Sequence, residues 1–253
     1  YAASSPVFVV AGQVQREMIG VDRGVLHEIN DQLDTIRPVT KWAHRILDPA
    51  EIPSAVHEAM HQLKTGRPRP VEIEIPPETL ADEADIELLE PGIFERQAAD
   101  GAKIQQAAKM IAEATNPLIY VGGGAVASDA RAALVAIAEF LQSPVMTTAE
   151  GKGAISDRHY LSIGGFRMRN DPYFDRMREH DLVLAVGTRN ANPNILSQKV
   201  IQIDIDPAEI GKNVRPAATL QGDARFCLQE LNKKITHNEQ PDWLSHLDQL
   251  KRD

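Results

Sequence analysis

Cysteine is nearly absent from the sequence, since Cys227 is the only one in 253 residues. A single cysteine excludes an internal disulfide framework and is typical of a reducing compartment, so we expect a cytoplasmic protein. Apolar runs are short, and none approaches the roughly 18 residues that a membrane span needs. The segment from Tyr1 to Val10 also lacks the basic start of a signal peptide. We therefore expect no membrane association.

Positive charge is also scarce. Lysine and arginine number 27 against 36 aspartates and glutamates, which gives a formal net charge of −9. Proteins that bind nucleic acid need a basic face, so this balance argues against a nucleic-acid partner. Local sites for small anionic ligands are compatible with it. Length, 43% hydrophobic residues and 25% charged residues together predict a globular protein of two α/β units.

Several common catalytic signatures are missing. The sequence has no G-x-S-x-G nucleophile elbow and no P-loop. His57 and His61 are four residues apart, but no second cluster completes a metal site. We therefore predict no serine hydrolase chemistry and no metal ligands in this chain.

The first part of the chain predicts an incomplete α/β domain. The apolar segment 6–11 and the segment 71–75 are typical of parallel strands, and between them an apolar stripe predicts a helix from about 53 to 63. The segment 23–34 is helix-like but irregular. Because a buried strand seldom opens a domain, we expect this domain to begin upstream of Tyr1.

The second part is more regular. Acidic residues followed by Pro91-Gly92 predict an exposed linker, after which strands alternate with helices. This alternation predicts a doubly wound parallel sheet of the Rossmann-like α/β class. The predicted strands cover 118–121, 144–148, 182–186, 200–205 and 218–221, with a short helix near 172–179 and a last helix from Asp223. The predicted boundaries are 1–80 for the first domain, 81–100 for the linker, 101–236 for the central domain and 237–253 for a tail.

A glycine turn follows the first central strand. Gly122, Gly123 and Gly124 satisfy G-x-G-x-x-[G/A] between a strand and a helix. In such a turn, backbone amides approach a pyrophosphate at a helix N-terminus. The alternative is a tight turn that needs glycine for a positive φ. The pattern leaves both interpretations open.

Polar residues follow three of the central strands. Thr148, Arg189 and the pair Asp204 and Asp206 all come at predicted strand ends, where open parallel sheets bind ligands. The aspartates could accept ribose hydroxyls, and Arg189 could bind a phosphate. Each has a structural alternative, since Asp206 before a proline can cap a helix. Their coincidence favours a dinucleotide-type pocket.

Two sets of motifs together resemble a known family. The first set resembles the latter part of the pyrimidine-binding domain of acetolactate synthases, which depend on thiamine diphosphate: G-Q-V at 12–14, L-H-E at 26–28, P-V-T-K at 38–41, G-R-P-R-P-V at 66–71 and I-E-I-P at 73–76. The second set resembles the central domain of the same family: the three glycines at 122–124, G-K-G-A at 151–154, G-T-R at 187–189, I-D-I-D-P-A-E-I-G at 203–211 and G-D at 222–223.

The resemblance implies a 2-keto acid decarboxylase or carboligase. In this family, thiamine diphosphate and Mg²⁺ supply the chemistry that releases carbon dioxide. The family's activating glutamate and its G-D-G metal motif have no counterpart in this chain, so we expect the chain alone to be inactive. The resemblance further implies a homodimer or homotetramer, because the family's cofactor lies between subunits.

The resemblance also implies site residues. Gln13, His27 and Glu28 are expected near the active centre, with His27 on the substrate side; the alternative for His27 is an exposed loop histidine. The central domain of the family holds FAD, an ADP moiety or nothing. The expected cofactor-binding residues are Gly122, Gly123, Gly124, Thr148, Gly164, Gly187, Arg189, Asp204, Asp206, Gly222 and Asp223.

Four departures from the family pattern bear on the substrate. L-H-E at 26–28 replaces F-Q-E, the sequence at 187–192 replaces G-x-R-F-D-D, G-G-F-R at 164–167 replaces G-M-H-G, and Pro77 replaces a lysine. These departures argue against acetolactate synthesis itself and against FAD, and favour a related decarboxylase or carboligase. Two other hypotheses are a free-standing FAD- or NAD-binding module and a catalytically silent oligomerisation scaffold.

Overall fold

A computed structural model describes residues 1–165, 179–190 and 199–235. The helix predicted near 172–179 lies almost entirely outside these residues, and the tail predicted at 237–253 lies wholly outside them. The chain divides into two compact units, Tyr1–Glu95 and Arg96–Asp253. Residues 82–100 form neither helix nor strand and are mostly exposed. The division between the units thus falls inside the segment predicted as a linker.

The first unit is built on a parallel sheet of three strands in the order β1-β3-β2. The strands are β1 (Phe8–Gly12), β2 (Trp42–Arg45) and β3 (Val71–Ile75). The helices are α1 (Gln32–Ile36), α2 (Ile52–Lys64) and α3 (Pro77–Ala81), with 3₁₀ turns at Arg16–Met18, Arg37–Val39 and Pro49–Glu51. The two predicted strands are present as β1 and β3 and pair with each other, whereas β2 was missed because its sequence, W-A-H-R, has no apolar alternation.

Helix α2 covers one face of this sheet. Its residues Ala55 and Ala59 are buried, and Ala55 packs with Ile46, Ile73 and Ile75. The apolar stripe that predicted the helix is therefore the face that it buries.

The prediction of an irregular helix over 23–34 was wrong for most of that range, because only α1 is helical there. His27 and Gly24 both have positive φ, at 70° and 73°, which a right-handed helix does not allow. The Glu28 carboxylate accepts hydrogen bonds from the amides of Arg23 and Val25. Side-chain acceptors of this kind compete with helical hydrogen bonds and hold a loop instead.

The second unit is built on a parallel sheet of six strands in the order β6-β5-β4-β7-β8-β9. The strands are β4 (Pro117–Val121), β5 (Val145–Thr147), β6 (Ser162–Gly165), β7 (Leu182–Val186), β8 (Lys199–Asp204) and β9 (Ala218–Gln221). The helices are α4 (Gly101–Glu113), α5 (Gly123–Ala127), α6 (Arg131–Leu141) and α7 (Ala224–Asn232). Counted from β4, the order is 3-2-1-4-5-6, that of dinucleotide-binding folds.

The central strands are buried on both faces. In β4, Ile119 and Val121 join the cluster formed by α4, α6 and α7, whereas Leu118 and Tyr120 join a second cluster with Val183. A parallel sheet with both faces covered is the predicted α/β class, which is confirmed. No helix within the described residues has the length and apolar character needed to cross a membrane.

Candidate functional site

The strand-end residues predicted in the second unit lie along one edge of the sheet. Parallel strands end at the same edge, and at four of them an amide just past the strand bonds to the neighbouring strand. These bonds run from Thr148 to Val121, from Gly122 to Val186, from Gly187 to Ile203 and from Gly222 to Asp204, with N···O distances of 2.8 to 3.0 Å. The turns after β4 and β7 meet where the strand order reverses, which is where such sheets bind ligands.

The glycine turn after β4 packs against the turn after β7. A Cβ on Gly122 would lie 2.3 Å from the Gly187 carbonyl oxygen, and one on Gly124 would lie 2.7 Å from the Gly187 Cα. The amides of Gly122 and Gly124 donate to Val186 and Gly187. Close approach between two turns therefore explains these two glycines.

Positive φ belongs to a different glycine. Gly122 has φ of −111°, whereas Gly187, in the turn that packs against it, has φ of +57°. A Cβ on Gly187 would also lie 2.6 Å from the amide nitrogen of Ala125. Gly123 contributes the first residue of the five-residue helix α5. A pyrophosphate-binding function for the three turn glycines stays a prediction.

Thr148 follows β5, which pairs with β4, and Gly164 lies in the outer strand β6. The Thr148 hydroxyl accepts a hydrogen bond from the Gly151 amide at 3.0 Å and so shapes the loop after β5. Gly164 has φ of +81° within β6, and a Cβ there would meet no atom within 4 Å. Its carbonyl accepts a hydrogen bond from the Thr147 hydroxyl at 3.4 Å. Gly164 is therefore explained by its backbone conformation, not by crowding.

Arg189 follows β7, Asp204 is the last residue of β8, and Asp206 follows that strand. Arg189 is exposed, and its backbone carbonyl accepts a hydrogen bond from the Asn213 side chain. Asp204 is buried, and its carboxylate accepts from the Asp206 amide at 3.0 Å. The Asp206 carboxylate accepts from the Ala208 amide at 3.0 Å. Residues 207–211 form a turn and not a helix, so this contact shapes a turn and is not the helix cap that was the structural alternative for Asp206. The ligand function of Asp206 stays a prediction.

Gly222 and Asp223 connect β9 to α7. A Cβ on Gly222 would lie 2.7 Å from the amide nitrogen of Ala99. Asp223 is the N-cap of α7, accepting from the amides of Arg225 and Phe226, and it pairs with Arg96 at 3.4 Å. The side chain of Asp223 is 3% exposed. These contacts give both residues a structural function at the start of the helix.

Asn190 is a residue that motif reasoning missed. Its side chain is 1% exposed, its φ is +50°, and neither atom of its carboxamide has a hydrogen-bond partner. Buried polar atoms are nearly always paired with protein or water, so an unpaired carboxamide here is a candidate contact for a ligand or water. The only signal in the sequence is that asparagine replaces the phenylalanine of G-x-R-F-D-D.

Tyr120 and Thr188 were missed as well. Burial raises the pKa of Tyr120, the hydroxyl of Thr188 offsets part of that rise, and Glu150 adds to it. Both residues are buried where β4 and β7 meet the edge. Asn190, Thr188 and Tyr120 therefore place buried polar groups at the ends of β4 and β7.

In the first unit, Gln13 follows β1 and is held at three points. Its amide donates to the Ile75 carbonyl at 3.2 Å, and its side-chain Oε1 accepts from the Val14 amide at 2.7 Å. Its Nε2 donates to Glu74 Oε1 at 3.1 Å. The carboxamide of Gln13 therefore has a fixed orientation.

Glu74 belongs to a charged network that crosses the sheet. Arg45 Nε donates to Glu74 Oε1, and Arg45 Nη2 donates to Asp31 at 2.9 Å. Burial alone would lower the pKa of Arg45, but the hydrogen bond and charge of Glu74, with those of Asp31, raise it. Asp31 is also the N-cap of α1. The network therefore connects β3, β2 and the start of α1.

Glu72 lies two residues before Glu74 on β3 and thus on the same face of the sheet. It is 2% exposed, and its Oε2 has no hydrogen-bond partner. Burial, with a contribution from the charge of Glu74, raises the pKa of Glu72. The alternation V-E-I-E-I is typical of a strand with one solvated face, yet every residue of β3 is buried.

His27 and Glu28 form an exposed loop before α1. His27 is exposed, as its structural alternative supposed. Hydrogen bonding from the Val25 amide, with others from the loop backbone, lowers the pKa of Glu28. Glu28 therefore shapes the loop that displays His27, and a contact of either with substrate stays a prediction. Among the residues that the structure describes, no group of three or more His, Cys, Asp or Glu side chains could hold a metal ion.

Comparisons with known proteins place these features in a family. Residues 104–231 match the family model of the thiamine pyrophosphate enzyme central domain. The whole chain is 37% identical to a probable acetolactate synthase large subunit of Methanocaldococcus jannaschii, of which it covers 45%, and 94% of it is 36% identical to an acetolactate synthase of Arthrospira platensis, of which it covers 44%. The chain thus spans under half the length of these relatives.

The fold is also found in solved structures. Benzoylformate decarboxylase from Polynucleobacter necessarius superposes on 95% of this chain with a TM-score of 0.80 and 24% identity, over 46% of its own length. A putative thiamin diphosphate-dependent enzyme from Mycobacterium smegmatis superposes on 94% of it with a TM-score of 0.77, over 47% of its own length. The resemblance drawn from the motifs is confirmed. The chain belongs to the thiamine pyrophosphate enzymes, whose central domain it contains.

Proposed function

We propose that this chain is part of a thiamine diphosphate-dependent enzyme that decarboxylates a 2-keto acid and passes the product to a second carbonyl or to a proton. The observation that carries the proposal is that similarity to the acetolactate synthase of M. jannaschii runs through both units, at 37% identity over the whole chain. The decarboxylase that shares the fold is named for benzoylformate, which is a 2-keto acid. These two similarities support a 2-keto acid as the substrate class.

The first unit contributes residues that fit a site of this kind. When bound, thiamine diphosphate supplies the electron sink for loss of carbon dioxide. The fixed carboxamide of Gln13 keeps one Nε2 hydrogen beyond the one that Glu74 accepts, and it can donate to a substrate oxygen. The exposed His27 can exchange a proton with a bound substrate. Ligands of Mg²⁺ and the activating glutamate belong, in this proposal, to other parts of the protein.

Carbon dioxide release tests the proposal. The complete protein, freed of cofactor by dialysis, is mixed with pyruvate or benzoylformate, with and without thiamine diphosphate and Mg²⁺. We expect release only when both are present, and none from the 253-residue chain alone. A complete protein that consumes neither these two nor a wider panel of 2-keto acids would contradict the proposal. Sedimentation velocity of the same protein tests the homodimer or homotetramer that belongs to it.

A second function is supported at the edge of the central sheet. The buried Asp204 ends β8, and the exposed Arg189 and the unpaired carboxamide of Asn190 follow the neighbouring strand β7. We propose that they hold an ADP moiety, alone or as part of FAD, with Asp204 toward the ribose and Arg189 toward a phosphate.

Calorimetry of the complete protein with ADP and FAD tests this second function. We expect Arg189→Ala to weaken binding about tenfold, because one charge-assisted phosphate contact is lost. The matched control is Arg158→Ala, since Arg158 is also an exposed arginine of the second unit. Absence of binding, or equal affinities for the two variants, would remove Arg189 from the site.

A further inference from the structure

We propose that Glu74 is a positioning residue, which sets the orientation of the Gln13 carboxamide in the active centre through a buried charge network. The inference rests on the proposed function, since that function places Gln13 beside the substrate. Glu74 lies in the I-E-I-P motif at 73–76 but was not among the expected site residues, and it belongs to a strand, not to a loop.

The geometry gives the Gln13 carboxamide one orientation. Val14 donates to its oxygen at 2.7 Å, and Glu74 accepts from its nitrogen at 3.1 Å. A carboxamide rotated by half a turn would place its oxygen against the Glu74 carboxylate and its nitrogen against the Val14 amide. Both contacts would then be repulsive, so the pair of bonds excludes the rotated form.

Glu74 can do this only because its own charge is held in place. Its side chain is fully buried, and Arg45 Nε donates to the same oxygen that accepts from Gln13. Arg45 is 18% exposed and is held from the other side by Asp31. Removing the partner of a buried ion pair is costly, so the contact with Arg45 holds the Glu74 oxygen in a fixed position.

Asp31 extends the network to the loop of His27. It caps α1 by accepting from the Leu33 amide at 2.9 Å, and Gln32 donates to the Gly12 carbonyl at 2.9 Å. Gly12 precedes Gln13, and Asp31 follows His27 by four residues. The backbone before Gln13 is thus bonded to Gln32, and the helix that follows the His27 loop is capped by Asp31, which also bonds Arg45.

Glu72 offers a matched control on the same strand and the same face. It is as deeply buried as Glu74, with 2% and 0% residual exposure, but it makes no bond to Gln13. Glutamine is isosteric with glutamate, so Glu72→Gln and Glu74→Gln impose the same change of charge at two buried sites. Only the second takes the charge from the acceptor that faces Gln13, and it gives that side chain an NH2 group in place of one oxygen.

The test measures steady-state kinetics of the complete protein on its 2-keto acid, with thiamine diphosphate affinity from calorimetry. We expect Glu74→Gln to lower kcat about tenfold or more with KM within about threefold, because the acceptor that orients Gln13 loses its charge and can turn its own NH2 group toward Gln13. Cofactor affinity should be unchanged. Glu72→Gln should keep kcat within about twofold.

A double-mutant cycle separates positioning from a general loss of structure. In the Gln13→Ala background, adding Glu74→Gln should cost little further kcat, since no carboxamide remains to be oriented. If the two losses multiply, or if Glu74→Gln behaves like Glu72→Gln, the inference is overturned.

A second variant covers the case in which Glu74→Gln does not fold. Gln13→Asn leaves the buried charges untouched but shortens the carboxamide by one methylene, so it cannot reach Glu74. We expect a loss of kcat like that of Gln13→Ala, with the unfolding midpoint unchanged; full activity would overturn the inference. An unmodified protein without activity would overturn the proposed function and this inference with it.

Discussion

The two units of the chain place their polar groups differently. In the second unit the central strands are apolar along most of their length, and the polar residues come where the strands end. In the first unit, β3 carries two glutamates inside the strand, and they are fully buried. Polar groups at strand ends can serve a ligand at little cost to the core, whereas charges inside a strand must be stabilised by partners. The second unit thus has polar residues placed to bind a ligand, whereas the first unit has a buried charge network that supports its structure.

Arg45→Met should have the largest effect, because it leaves the buried Glu74 carboxylate without its cation. We expect the first unit to lose about 3 kcal/mol of unfolding free energy. The measurement is urea unfolding of the complete protein followed by the fluorescence of Trp42, which lies on the same strand. The control is Arg37→Met, since the exposed pair of Arg37 with Asp34 should contribute under about 1 kcal/mol. Equal midpoints for the two variants would show that the network contributes no stability.

Gly122→Ala should have the second largest effect, lowering the unfolding free energy of the second unit by about 2 to 3 kcal/mol. Its new Cβ would lie 2.3 Å from the Gly187 carbonyl oxygen, so one of the two turns must shift. Gly123→Ala is the control, since its Cβ would lie 3.1 Å from the Glu150 Cβ, an exposed side chain. Thermal unfolding of both variants measures the difference. If Gly122→Ala were as stable as the control, the packing of the two turns would not be the reason for glycine.

Acid should weaken the second unit through His180. Burial lowers the pKa of His180 to about 4, while the unfolded chain titrates near its ordinary value. The unfolded state therefore binds a proton first as pH falls below about 6.5, and stability drops by about 1.4 kcal/mol per pH unit until the folded pKa is reached. Between pH 6.5 and 5 the loss is about 2 kcal/mol. Urea midpoints across this range should fall less steeply for His180→Gln, and parallel curves would contradict the assignment.

Glu72 should make stability depend on pH in the opposite direction from His180, and with the smallest effect of the four. Its folded pKa is raised, so its contribution to stability is complete below the unfolded pKa and is lost as pH rises through the folded one. At neutral pH, Glu72→Gln should therefore stabilise the first unit, by about 1 kcal/mol. The Trp42 transition measures this as well. A destabilised variant would mean that the Glu72 carboxylate has a favourable partner.

Much of the second unit could be predicted because its signals are local. The strands β7 and β9 have the predicted bounds, and the residues after β4, β7 and β8 share the predicted edge. Strands that alternate with helices run parallel, so they all end at the same edge of the sheet whatever side chains they carry. Tight turns and apolar runs are visible in a short window of sequence.

The network of the first unit could not be predicted in this way. Gln13 and Glu74 are 61 residues apart, and Arg45 is 29 residues from Glu74. No spacing rule connects them, and β2, which carries Arg45, has no strand-like pattern. The alternation in β3 indicated solvated glutamates because burial depends on what covers the sheet. The loop at 23–31 was mistaken for helix because the amide contacts of Glu28 are not visible in a periodicity.

Calorimetric titration of the complete protein with thiamine diphosphate in the presence of Mg²⁺ tests the central claim most directly. Membership of the thiamine pyrophosphate enzymes, together with similarity through both units, predicts saturable binding that disappears when Mg²⁺ is removed. A complete, folded protein that gives no binding heat and no thermal shift with the cofactor would contradict it.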